Sequence, residues 1–361
     1  MAHILPPGSV VGILGGGQLG RMMALAGARL GYSFVIYAPE ESPPAALVAA
    51  THIQASYTDL AALKRFADMV DVITLEFENI PTETVDFLTQ FKNVFPDSKA
   101  LSTAQDRSIE KAFFNTIGIA TAPWAAITTQ DELTHALKTI GTPSVLKTAR
   151  FGYDGKGQVT LKAPEDAIPA WESLQNAPCV LEGFVDFKCE ISVLAARNPS
   201  GEVAVYAPVE NIHKDHILAE TIAPARLDAT VRDNAQAIAI KAISELRYVG
   251  ILAIELFVTK DGTLLVNEMA PRPHNSGHWT QDACACDQFE QSIRAVCNIP
   301  LGSTRQLHKA KMINLIGDAV GDWQSYLLQP HAKLHLYGKN DVKAGRKMGH
   351  VNMLYPDENT P

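Results

Sequence analysis

Residues 251–270 read ILAIELFVTKDGTLLVNEMA. Two apolar runs flank Asp261-Gly262, a strong short-range signal for a β-hairpin. With a two-residue turn, Lys260 pairs with Thr263 and every step outward keeps the sum of the paired positions constant. Glu255 then lies opposite Glu268, on one face, with Cβ atoms roughly 4.5–5.5 Å apart. Carboxylates so placed need a shared proton or a cation. A three-residue loop would instead slip the register and leave both solvated. The paired arrangement suits a hard cation such as Mg²⁺, which takes one or two carboxylates together with substrate phosphates. It directs attention to ATP.

A second stretch, VVGILGGGQLGRMM over 10–23, reads as strand, glycine turn and helix, with Gly15, Gly17 and Gly20 spaced as G-x-G-x-x-G. Such a turn lets backbone N–H groups face a phosphate. A dinucleotide would make this a nicotinamide-dependent dehydrogenase, but the acidic residue expected at the end of the second strand is displaced: IYAPEE carries Glu40 and Glu41 two or three residues late. The strands VVGIL, SFVIYA, DVITLEF and NVFP alternate with the helices QLGRMMALAGARLG and TETVDFLTQF, which predicts a parallel, Rossmann-like first unit. SIEKAFFNTIG reads as a helix stopped by Gly118. From Pro143 the texture turns antiparallel, interrupted by a long helix in ATVRDNAQAIAIKAISELRYVG, and short strands close the chain (KMINLIG, KLHLYG, GRKMGHVNM).

Three further clusters bear charge. VLKTARFGYDGKGQV places Lys147 on a strand before a loop with Gly152, Gly155, Lys156 and Gly157; it is not a Walker P-loop but can cover phosphates. APRPHNSGHWT crowds Arg272, His274 and Asn275 just beyond Glu268, where a second anionic reactant fits. YGKNDVKAGRKMGH holds Lys339, Lys343, Arg346 and Lys347, either a solvated face or a phosphate pocket.

The chain has 361 residues, 47% of them hydrophobic, and a formal net charge of −8. That length predicts two or three domains. The acidity argues against a nucleic-acid surface. No apolar run nears the ~20 residues of a membrane span, and MAHILPPGSV lacks a basic leader region. Five cysteines without a C-x-x-C pair fit reduced thiols. A soluble, cytoplasmic protein is expected.

Together GGGQLGRM, EFEN (76–79), Lys147 with GYDGKGQ, the ELF…NE hairpin and APRPHNSGHWTQ resemble the N5-carboxyaminoimidazole ribonucleotide synthetases, ATP-grasp enzymes of purine biosynthesis. The resemblance spans residues 10–351. It implies an α/β and α+β chain: an N-terminal Rossmann-like (pre-ATP-grasp) domain over 1–107, then an ATP-grasp fold with a small lid at 108–183 and a C-terminal part at 184–361. It implies carboxylation of 5-aminoimidazole ribonucleotide by bicarbonate and ATP through carboxyphosphate, with ATP and Mg²⁺ as cofactors and a homodimer as the assembly.

By the same resemblance, Arg107 and Lys147 would contact the ATP phosphates, and Gly152, Tyr153, Asp154, Gly155, Lys156, Gly157 and Gln158 would close over them. Glu182, Gly183, Phe184 and Val185 would meet the adenine edge, Glu190 the ribose, and His213 and Asn267 the nucleotide. Glu255 and Glu268 would hold metal. Arg272, His274 and Asn275 would bind bicarbonate or carboxyphosphate. Gly17, Gln18, Leu19, Glu78, Tyr153, Lys156, Lys339 and Arg346 would hold the ribonucleotide, with Lys339 also counted as catalytic. Lys156 departs from the arginine common in the family, keeping the charge but losing the fork, and the chain ends soon after Val351. A sibling ligase such as the formate-using glycinamide ribonucleotide transformylase would share the nucleotide residues and differ at PRPHNSGH. A non-catalytic nucleotide binder is a further alternative, which intact Lys147, Glu255 and Glu268 disfavour.

Overall fold

The computed structural model describes residues 3–152 and 155–355, so Tyr153 and Asp154 lie outside the described residues. Strands β1 (Val10–Leu14), β2 (Ser33–Ala38), β3 (Thr51–Gln54), β4 (Val72–Leu75) and β5 (Val94–Phe95) form a parallel sheet in the order β3-β2-β1-β4-β5. The strand β3 and the helix Leu60–Asp68, capped by Asp59, come in addition to the elements expected from the sequence. The order reverses between β1 and β4, and ligand crevices of open α/β sheets form at such a switch point.

The glycine turn sits at that point, and it is already occupied. Glu76, just past β4, accepts the Gly17 N–H at 2.8 Å and the Gly20 N–H at 3.4 Å. Gly15 has φ +103°, and a Cβ there would meet Glu76 Cγ at 2.5 Å. These glycines therefore admit a carboxylate of the chain itself. The Gly17 and Gly20 N–H groups are thus spent on Glu76 rather than offered to a dinucleotide pyrophosphate, which counts against the dehydrogenase reading.

A four-stranded sheet follows, in the order β6-β9-β7-β8: β6 (Trp124–Ile127), β7 (Ser144–Thr148), β8 (Gln158–Leu161) and β9 (Cys179–Gly183), all antiparallel neighbours. The helix Gln130–Ile140 covers it, started by a capping box of Thr129 and Glu132 and ended at Gly141. The helix Arg107–Thr116, started by Asp106, does not belong to this small sheet as the expected 108–183 division had it. Its Phe114, with Ile119 beyond, packs into the core of the third sheet.

That third sheet has nine strands. They are β10 (Phe187–Arg197), β11 (Val203–Val205), β12 (Val209–Lys214), β13 (Ile217–Ala223), β14 (Gly250–Thr259), β15 (Leu264–Ala270), β16 (Lys309–Ile316), β17 (Ala332–Leu336) and β18 (Lys347–Tyr355). The order runs β15-β14-β10-β12-β13-β16-β18-β17, with β11 beside β10. Ala235, Ala239, Ala242 and Ile243 of the helix Ala229–Glu245 bury one face of the sheet. The chain-terminal strands thus extend the sheet that carries the hairpin, and β15 is its edge.

The hairpin itself differs from the two-residue expectation. Thr259 N–H donates to Thr263 O at 3.0 Å and Gly262 N–H to Thr259 O at 3.0 Å, with Gly262 at φ +85°. The loop is three residues, and the pairs near it are slipped by one: Val258 faces Leu264 and Leu256 faces Val266. A β-bulge at Asn267 then restores the offset, so Glu255 does face Glu268. The extra residue also turns two successive side chains, Asn267 and Glu268, toward the same region.

Replacing Gly15 by Ala should lower stability by about 2–3 kcal/mol, through a forced positive φ and the collision with Glu76. A denaturant midpoint unchanged from the parent would show that the turn tolerates a side chain.

Candidate functional site

The three sheets meet around the hairpin. Arg107 Nη1 donates to Glu268 Oε2 at 2.8 Å. Burial works against charge on Glu268, but the Arg107 guanidinium outweighs it and holds the carboxyl well below the usual range. Burial pushes Glu255 the opposite way, reinforced by the Glu268 charge facing it. The two carboxyls are thus pushed in opposite directions, as expected of like charges that face each other.

Cations ring this pair. Lys147 Nζ donates to Glu182 Oε2 at 3.1 Å and to Asn267 Oδ1 at 3.3 Å. Lys111, fully buried, sets its ammonium 3.2 Å from Glu182 Oε1 and donates to the Asn267 carbonyl at 3.3 Å. Burial alone would raise the Glu182 carboxyl, but Lys147 and Lys111 hold it down. The expected adenine-edge residue is thus engaged between two lysines. Its neighbours Gly183, Phe184 and Val185 lead from β9 toward β10, with the Phe184 N–H on Pro143 O at 3.2 Å. On β10, Glu190 meets His213 Nδ1 at 3.3 Å. Burial opposes charge on that imidazole, yet the neighbouring Glu190 carboxylate raises its pKa.

Beyond the hairpin, Arg272 grips Glu78 through both Nε and Nη2, the latter at 2.7 Å from Oε1. This bidentate pair joins a residue expected at bicarbonate to one expected at the ribonucleotide. His274 Nε2 lies 3.5 Å from Glu255 Oε1, and its Nδ1 is 2.8 Å from Ser276 Oγ. Burial, with Arg272 nearby, drives the imidazole down to about 3, so it is neutral. Ser192 Oγ donates to Ser276 Oγ at 2.7 Å, Asn211 Nδ2 to Ser192 Oγ at 3.0 Å, and Thr221 Oγ1 to Asn211 Oδ1 at 3.1 Å, a buried relay across β10, β12 and β13. Asn275 buries both polar atoms of its amide without a partner. An orphaned amide beside a guanidinium, a neutral imidazole and two carboxylates is a donor set that fits a small oxyanion together with a hard cation.

The glycine loop reaches this cleft. Gly152 lies against Thr148 and Arg107, Gly157 O accepts the Thr148 N–H at 2.7 Å, and Gln158 pairs with Lys147. A Cβ on Gly155 would strike His216 Cβ at 2.5 Å, so the loop carrying Lys156 closes onto the turn between β12 and β13.

A cavity of about 410 Å³ between the parallel sheet and the end of the chain is lined by Gly17, Gln18, Glu76, Lys339 and Arg346. Lys339 Nζ donates to Lys347 O at 2.7 Å, and burial, with Arg346 nearby, lowers its pKa to about 8. Two expectations need correction here. Gly17 offers no free N–H, and the Leu19 side chain is packed in the core of the parallel sheet, so only its backbone is available.

Lys111 and Glu110 escaped the sequence reading, and Glu76 entered it only as part of EFEN, without a role. Glu110, 2% exposed, accepts the Met269 N–H at 2.5 Å, and burial pushes its carboxyl up to about 8 against the pull of Arg107. A signal for two of them existed. Arg107, Glu110, Lys111 and Phe114 occupy i, i+3, i+4 and i+7, the core-facing stripe of a helix, and charge on that stripe demands partners.

Comparison with known proteins identifies the family and the fold. The chain matches the ribonucleotide synthetase preATP-grasp domain over residues 9–105, the ATP-grasp domain over 112–289, and the phosphoribosylaminoimidazole carboxylase C-terminal domain over 310–360. It is 49% identical to the N5-carboxyaminoimidazole ribonucleotide synthase of Brucella melitensis, covering 98% of both chains. To that of Bacillus subtilis it is 43% identical, over 99% of this chain and 94% of the relative. Among solved structures, an ADP complex of an N5-carboxyaminoimidazole ribonucleotide synthetase aligns with TM-score 0.96 at 45% identity, covering 99% and 95% of the two chains. The Aspergillus clavatus synthase in complex with ADP and 5-aminoimidazole ribonucleotide aligns with TM-score 0.91 at 30% identity, over 96% and 94%.

Replacing Glu182 by Leu would leave Lys111 and Lys147 adjacent and buried with no counter-charge. A loss of about 3–5 kcal/mol is expected, measured by urea unfolding. A loss below ~1 kcal/mol would mean that the two ammonium groups do not depend on this carboxylate.

Proposed function

The chain belongs to the N5-carboxyaminoimidazole ribonucleotide synthases of the ATP-grasp family, and on that footing we propose how its cleft divides the reaction. The enzyme is an ATP-dependent ligase of purine biosynthesis. It joins bicarbonate to the amine of 5-aminoimidazole ribonucleotide, giving N5-carboxyaminoimidazole ribonucleotide, ADP and phosphate.

Bicarbonate carbon is shielded by delocalised negative charge, and its oxygen is a poor leaving group. In our reading, a bicarbonate oxygen attacks the γ-phosphorus of ATP, ADP departs, and carboxyphosphate forms. The amine then takes the carboxyl carbon, loses a proton, and phosphate leaves. The protein must hold several anions together while charge moves among them. Arg107 and Lys147 hold the nucleotide phosphates, with the loop of Gly152, Gly155, Lys156, Gly157 and Gln158 above them; Tyr153 and Asp154 belong to the same assignment. Glu182 to Val185 line the base, Glu190 and His213 the ribose side, and Asn267 the phosphates.

Glu255 and Glu268 would hold Mg²⁺. A bound divalent cation supplies charge neutralisation at the phosphates and polarises the transferred phosphoryl group. The facing pair carries this reading, because two carboxylates set opposite each other across the ladder are the oxygen donors a hard cation takes. Arg272, His274 and Asn275 would receive bicarbonate. The guanidinium supplies charge, the neutral imidazole a hydrogen bond without added charge, and the amide its two unpartnered atoms. Glu78, Lys156, Lys339 and Arg346, with Gln18 and the backbone at Leu19, would hold the ribonucleotide. The five free cysteines, with Cys179, Cys286 and Cys297 pushed up to about 11 or 12 by burial, fit a reducing compartment such as the cytoplasm.

ADP release from Mg·ATP and bicarbonate should depend on 5-aminoimidazole ribonucleotide. It should fall on the order of 10²–10³-fold in Glu268→Gln. Turnover driven instead by formate and glycinamide ribonucleotide would move the substrate to the sibling ligase, and an active Glu268→Gln would remove the metal assignment.

Lys339 adds a pH dependence. Its ammonium is present below about pH 8 and lost above it, so KM for the ribonucleotide should be flat up to that pH and then rise. Lys339→Arg, charged throughout, should flatten the rise. A KM that does not change between pH 7 and 9.5 would take Lys339 out of substrate binding.

A further inference from the structure

The strand that carries Asn267 and Glu268 lies at the edge of its sheet, where outward backbone groups lack a neighbouring strand. One stripe of the helix Arg107–Thr116 takes that neighbour's place. Val266 N–H donates to Ala120 O at 2.9 Å. Next, the Asn267 carbonyl accepts from Lys111 Nζ at 3.3 Å. The Glu268 carboxylate accepts from Arg107 at 2.8 Å. Finally, Met269 N–H donates to Glu110 Oε1 at 2.5 Å. Four consecutive residues are held from outside, three of them by helix positions i, i+3 and i+4.

This happens where the inner ladder is weakest. The bulge interrupts the pairing to β14 at Asn267, so the outer contacts bear the orientation of that residue and of Glu268. Lys111 has a second office. Its ammonium lies 3.2 Å from Glu182 on β9, so one buried cation ties the edge strand of the large sheet to the small sheet. Lys147 divides its ammonium between Glu182 and Asn267. A phosphate drawing Lys147 away would leave Glu182 with Lys111 as its remaining near cation.

We propose that Glu110 and Lys111 are positioning residues for the nucleotide and its metal: they fix the bulge so that Asn267 and Glu268 face the phosphates, and Lys111 keeps Glu182 compensated when Lys147 turns to the ligand. The inference rests on the nucleotide reading of β15 given above. Both act through the residues they hold, Glu110 through the strand and Lys111 through the strand and Glu182.

The test uses the full chain and measures Mg·ADP affinity by titration calorimetry, alongside steady-state kinetics and Tm. Lys111→Met and Glu110→Leu should each weaken Mg·ADP about tenfold or more and raise KM for ATP alike. KM for the ribonucleotide should stay within about twofold. Glu110→Gln keeps an oxygen that accepts the Met269 N–H, and Lys111→Arg keeps the charge; both should recover most of the loss. A lowered Tm with Mg·ADP affinity unchanged, or equal losses for both substrates, would overturn the proposal. Glu268→Gln separates the two layers. If it leaves Mg·ADP affinity unchanged, the nucleotide reading of the strand fails and the inference with it. If it weakens binding while the Glu110 and Lys111 variants do not, the positioning inference alone fails.

Discussion

Two carboxylates facing each other across a strand ladder, within a cleft, repel more strongly than a fully solvated pair could. The rest of the site follows from that constraint. Arg107 holds the Glu268 carboxyl below the usual range, while burial and the facing Glu268 charge push Glu255 up. Arg107 comes from the helix after the parallel sheet, Lys147 from the small sheet, and His274 from the loop beyond the hairpin. Three parts of the chain converge on one place because each delivers something that a pair of glutamates requires.

The same economy of charge governs the first sheet. A helix N-terminus at a switch point attracts anions, and here the chain supplies its own. Glu76 fills the glycine turn from below, so the cavity above it presents a satisfied turn floor and a rim of Lys339 and Arg346. An anion entering that cavity meets lysine and arginine rather than the bare N–H groups of a dinucleotide site.

Much of this was legible in the sequence, though unevenly. Alternating runs marked the parallel sheet, and the glutamate pair was found from the Asp261-Gly262 turn. That pairing was reached through an incorrect loop: the three-residue turn slips the register, and the bulge at Asn267 slips it back. Nothing local marks a bulge at Asn-Glu, and the groups that hold those residues, on the helix across the edge and on β7, are distant in sequence. Arg272 and Glu78, 194 positions apart, could be named as site residues from motifs but not paired with each other. Lys111 was passed over because a charge in a helix usually faces water. Only its place on the same stripe as Phe114 hinted that it turns inward. Position along a stripe is local information, and what waits opposite it is not.

The occupied edge of β15 has one more consequence. A bare edge strand invites pairing with any extended segment that drifts past, from this chain as it folds or from another molecule. Here the outward groups from Val266 to Met269 already spend their hydrogen bonds on Ala120, Lys111 and Glu110. The side chains that aim the site also close the strand to intruders, and an enzyme that opened this edge for a looser cleft would expose a seam along which its copies could stick together.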